Sequence, residues 1–170
     1  TEALKDAIKA LEKEIEPAHK LNSPLLNKRS LLFKAEIHRL YGETKQAFLI
    51  WKQLSQDETI ELPWQAKSLL GLTQLALELG DLEAAEQLVT KLNHSKFASE
   101  PFIRDAAIQA WLNAVVQNEI NNPYGELETI VQRHVAHPTI ALRAGILQAQ
   151  RQQEKNPASA QRRLENLAET

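Results

Sequence analysis

The chain has 170 residues, 43% of them hydrophobic and 25% charged, which suits one globular domain spanning 1–170. Its 20 basic and 22 acidic residues are interspersed and sum to −2, so no basic footprint for nucleic acid is present. The absence of cysteine excludes disulfides, thiolate zinc sites and a cysteine nucleophile, and no apolar stretch approaches the roughly 20 residues of a membrane helix.

The opening Thr1-Glu2-Ala3-Leu4-Lys5-Asp6 is charged at once, unlike a signal peptide, and the missing initiator methionine reads as a piece of a longer protein. Leu4, Ile8, Leu11 and Ile15 then recur at steps of four and three, which predicts a helix over 1–16 that Pro17 ends. Further apolar stripes predict helices at 25–41, 44–55, 63–79, 82–93, 101–119, 123–135, 138–153 and 157–168, about nine in all. Pro24, Pro63, Pro101 and Pro138 stand where new stripes begin. Asn122-Pro123 and Asn156-Pro157 pair a capping side chain with a residue suited to the first helical position. Gly42 and Gly80 each follow a long apolar helix, where a helix C-terminus favours glycine. No segment alternates apolar and polar residues with β-branched enrichment, so no strand is expected.

Two segments are alike in detail. Gly42-Glu43 is followed by Ala47, Trp51 and Leu54, and Gly80-Asp81 by Ala85, Val89 and Leu92 at the same offsets, 38 residues later. A period of this length predicts helical hairpins that bury their apolar faces only by stacking. The alanines would let helices approach closely while Trp51 and Val89 fill the groove between hairpins.

On these residues the chain resembles the tetratricopeptide repeat family. Ala47-x3-Trp51 and Ala85-x3-Val89 are similar to the family's Ala-x3-Phe, and Leu70-Gly71 to its Leu-Gly pair. Gly71 stands two residues farther from Gly80 than the family pattern has it, and no proline follows Leu54 or Leu92. The likeness covers residues 31–93, and 101–135 and 138–168 keep only the rhythm. It implies an all-α, right-handed α-solenoid of about four antiparallel helical hairpins. A compact helical bundle is the alternative. Leu62-Pro63-Trp64 is similar to arrays appended to bacterial response-regulator receivers, which implies a role in bacterial signalling or envelope assembly.

Sites of chemistry are scarce. His134 and His137 are three apart but lack a third ligand, and they read as exposed residues at a helix end rather than a metal site. His19, His38 and His94 are isolated. The glutamates at 12, 14, 16, 43, 126 and 128 read as solvated helix faces, and no phosphate loop, nucleophile elbow or zinc motif occurs. Arg143, Arg151, Lys155, Arg162 and Arg163 thicken the last 30 positions, but no aromatic is interleaved beyond residue 124, so a solvated terminal face is expected.

The resulting expectation is a noncatalytic protein-protein interaction scaffold with no cofactor and no metal. It would bind a protein or peptide partner, with no nucleic acid and no membrane insertion, in a cytoplasmic or periplasmic setting. The family resemblance places Arg29, Phe33, Glu36 and Arg39, then Lys67, Gln74 and Glu78, and finally Arg104, along a concave groove. Arginines and aromatics suit peptide recognition. Alternatives are a structural or dimerisation module and a helical ligand-binding domain with a pocket between hairpins. The charged outer faces of residues 1–16 and 157–168 favour a monomer.

Overall fold

The structure is a computed structural model that describes residues 24–118, 123–153 and 156–168. Among these the chain is all helical and without strands. The helices are α1 (Pro24–Leu40), α2 (Thr44–Gln56), α3 (Leu62–Glu78), α4 (Leu82–Leu92), α5 (Pro101–Asn118), α6 (Pro123–Arg133), α7 (Pro138–Gln153) and α8 (Pro157–Ala168). A 3-10 turn at Ser95–Phe97 leads into α5. The helix expected over 1–16 lies outside the described residues. No helix among those described is long and apolar enough to cross a membrane.

Local chemistry explains the boundaries. Pro24, Pro101, Pro123, Pro138 and Pro157 each open a helix, where a missing N–H forfeits no bond. Asp81 caps α4 by accepting from the Ala84 N–H at 2.9 Å, and Asn156 caps α8 by accepting from the Ser159 N–H at 3.2 Å. Gly42 and Gly80 both take φ of +75°, a conformation that side chains with a Cβ resist. Around them the bonding is the same. The Gly42 and Gly80 N–H groups bond to the Arg39 and Leu77 carbonyls, and the following N–H groups reach His38 and Ala76 at 2.8 and 2.9 Å. Both ends are Schellman motifs, which satisfy carbonyls that a helix terminus would otherwise leave open.

Every helix packs on its successor, and α1, α3, α5 and α7 also pack on one another in series. Contact among α2, α4, α6 and α8 is marginal by comparison. Ala47, Trp51 and Leu54 of α2 and Ala85, Val89 and Leu92 of α4 are all buried, as the matched spacing predicts. Trp51, only 3% exposed, lies flat over Gly71 of α3. A Cβ added there would stand 2.5 Å from the indole. Gly71 is therefore the site of a close approach rather than of unusual backbone. Trp111, Ile108 and Leu112 of α5 meet Leu127 and Ile130 of α6 and Ile140 of α7 in one continuous core. The buried Gln65 side chain ties down the loop between α2 and α3, donating to the Asp57 and Ile60 carbonyls at 3.0 and 2.9 Å.

Candidate functional site

The candidate surface lies on the faces that α1, α3, α5 and α7 turn away from α2, α4, α6 and α8. The ion pairs fix the direction of α1 and α3. Arg29, near the start of α1, reaches Glu61 just ahead of α3 at 3.3 Å, while Arg39, near the end of α1, pairs with Glu78 at the end of α3. The two helices therefore run the same way, side by side.

At the starting end, Trp64 is the organising residue. Its ring nitrogen donates to Glu61 at 2.9 Å, the Arg29 guanidinium lies 4.9 Å from its ring centre, and the Lys67 ammonium lies 4.5 Å from it. Two cations drawn to one indole put Arg29 and Lys67, expected from the sequence, into a single cluster with the unanticipated Glu61 and Trp64. Phe33, one turn along from Arg29, is 56% exposed. Gln74 is exposed on α3.

At the far end Glu36, Arg39 and Glu78 form an ion triad. Arg39 Nε donates to Glu36 at 3.1 Å, and the guanidinium also bonds to Glu78. The bonds to Glu36 push the arginine above its ordinary pKa, burial opposes them, and Glu78 adds to the rise. Arg39 thus works as a strut between α1 and α3, with its charge already answered. Arg104 sits apart from this group. Its guanidinium donates to the Asn93 side chain at 2.7 Å and holds the end of α4 against the start of α5. Phe102, which sequence reasoning passed over, is 88% exposed on α5, and Leu142 is 44% exposed on α7. Between these helices Arg143 pairs with Asp105, a separation of 38 residues that nearly equals the 39 between Arg39 and Glu78.

A second polar centre lies between α4 and α6. Glu86 accepts both from Arg133, at 2.9 Å to each oxygen, and from His134 Nε2 at 2.8 Å. The Glu86 bonds raise the Arg133 pKa. His134 is 5% exposed, with its ring edge-on to Trp111 at 5.8 Å. The sequence expectation of an exposed helix-end histidine is thus corrected. A carboxylate from another helix supplies the partner that makes its burial tolerable. The centre lines an open cleft of about 950 Å3, but its charges are satisfied by one another. Among the described residues no group of three His, Asp or Glu is arranged to hold a metal ion.

No protein-family model matches the chain, and no curated protein or solved structure matches it.

Proposed function

We propose that the chain is a tetratricopeptide-like, right-handed α-solenoid of about four hairpins that acts as a noncatalytic protein-interaction scaffold. The supporting observation is the serial packing of α1, α3, α5 and α7, set against the marginal contact among α2, α4, α6 and α8. In a stack of helix pairs, the layer whose members touch is the inner side of the curve. That reading puts Phe33, Lys67, Gln74, Phe102 and Leu142 on a concave face, where a peptide or helix would find apolar anchors among fixed charges.

Arg39 and Arg104 serve this face as struts, and Arg29, Phe33 and Lys67 touch the partner. The test is site-specific photo-crosslinking in extracts of the source cells. A crosslinker at exposed Gln74 of α3 should capture one discrete partner, while the same group at exposed Gln46 of α2 or Gln132 of α6 should not. Phe33→Ala with Phe102→Ala should abolish capture without shifting the melting temperature. Equal capture from Gln46 and Gln132, or capture indifferent to the double substitution, would overturn the proposal.

A further inference from the structure

α2 and α4 both seat on α3 but hardly touch each other, leaving a cleft of about 590 Å3 between them, in the range of small-molecule sites. Its apolar lining comes from Phe48 on α2, Leu69 and Leu72 on α3, Leu88 on α4, and Phe97 of the 3-10 turn. Its ionisable lining is Lys52, Lys91, Lys96, His94 and His137, and no carboxylate lines it. For a chain with more acidic than basic residues, this is a local reversal of sign.

The lysines also lack a close counter-ion. The acidic residues elsewhere are largely engaged, as Glu36, Glu78, Glu86 and Asp105 show, yet no carboxylate lies within 4 Å of Lys52, Lys91 or Lys96 among the described residues. Lys52 and Lys96 rest only on the rings of Phe48 and Phe97, each at 5.6 Å. Same-sign charges around a low-dielectric opening raise its potential for anions. The apolar floor can shelter a hydrocarbon body, and flexible ammonium groups can close over an anionic head without demanding the fixed geometry that arginine imposes.

We propose that this cleft binds a small amphipathic anion, with an aliphatic or aromatic body against Phe48, Leu72 and Leu88 and a carboxylate or phosphate head among Lys52, Lys91 and Lys96. The site lies on the α2–α4 side of the molecule, away from Phe33 and Phe102, and does not depend on the interaction-scaffold reading.

The test is calorimetric titration of the whole chain with decanoate, decyl phosphate, decanol, decyltrimethylammonium and inorganic phosphate, each below its aggregation limit. One or both decyl anions should bind once per chain, and which one binds identifies the head group. Decanol, decyltrimethylammonium and inorganic phosphate should each bind at least about tenfold more weakly, because each lacks either the charge or the body. Lys52→Gln, Lys91→Gln and Lys96→Gln together should weaken the decyl anion by a similar factor with an unchanged circular-dichroism melt. Should that variant fold poorly, added salt must weaken the wild-type interaction instead. Equal affinity for decanol, no saturable binding of either decyl anion, or indifference to both the substitutions and salt would overturn the proposal.

Discussion

The segments α1–α4 and α5–α8 show the same alternation of helices and hold it together differently. In the first, successive helices meet by shape, while ion pairs tie α1 to α3. Gly42 and Gly80 end their helices in matched left-handed turns, Ala47 and Ala85 are fully buried, and Trp51 lies on Gly71. In the second, polar partners join the apolar core around Trp111, Leu127 and Ile140. Glu86 reaches across from α4 to gather Arg133 and His134, Arg163 bonds to the buried Gln148, and the chain passes from α6 to α7 through His134 with no glycine. One architecture can therefore be kept by small-to-large packing or by partnered polar groups. The two should fail differently.

The largest expected effect tests the shape-based half. Trp51→Ala empties a buried aromatic site and should cost about 3–5 kcal/mol in a denaturant unfolding experiment. A loss smaller than that from any polar substitution in α5–α8 would break the contrast.

The polar contacts made by α6 and α7 come next. Glu86→Ala leaves the buried His134 imidazole without its partner, and should cost about 1–3 kcal/mol. Asp105→Ala, which removes a half-exposed pair with Arg143, should cost less than about 1 kcal/mol. Equal losses at the two positions would show that burial of the partner does not set the cost. The Gly80 turn should follow. Alanine at φ of +75° meets no neighbouring atom within 4 Å, so its cost is backbone strain alone, about 1–2 kcal/mol, and Gly42→Ala should match it. A clear inequality between the two glycines would show that the matched turns are not energetically equivalent.

These sites also show what a sequence discloses. The eight described helices fall within two residues of their expected bounds because prolines and glycines act locally, through the missing N–H and the missing Cβ. The buried triads of α2 and α4 were readable because helical spacing carries them. Long-range partners carry no such mark. His134 looked like a surface residue because Glu86 lies 48 positions away, and Arg39 looked like a free ligand contact because Glu78 lies 39 positions away. Trp64 enters the sequence reading only through the Leu62-Pro63-Trp64 likeness, while its capacity to draw in Arg29 and Lys67 depends on how α1 settles beside α3. The basic cleft was illegible for the same reason. Lys52, Lys91 and Lys96 come from three separate segments, and only the stacking of α2 and α4 on α3 brings them to one opening.

The smallest expected effect concerns the fastening of α1 to the loop ahead of α3, a polar contact inside the shape-based half. Asp57 Oδ2 lies 2.8 Å from Lys28 Nζ, and Oδ1 accepts from the Thr59 hydroxyl at 2.6 Å and the Thr59 N–H at 2.9 Å. The Lys28 hydrogen bond, then those from Thr59, hold the carboxyl down at about 2, below its ordinary 3.8. A depressed carboxylate binds fewer protons in the folded state than in the unfolded one. Its stabilisation is therefore complete above pH 3.8 and fades as pH falls through about 2. Melting curves of Asp57→Asn and the wild type should differ by a small, constant amount from pH 7 down to about 4 and converge toward pH 2. A difference that persists unchanged to pH 2 would mean the ionised form of Asp57 contributes nothing. The fastening would then rest on the neutral Thr59 bonds, and α1 would be held to α3 by packing and by the Arg29 and Arg39 pairs alone.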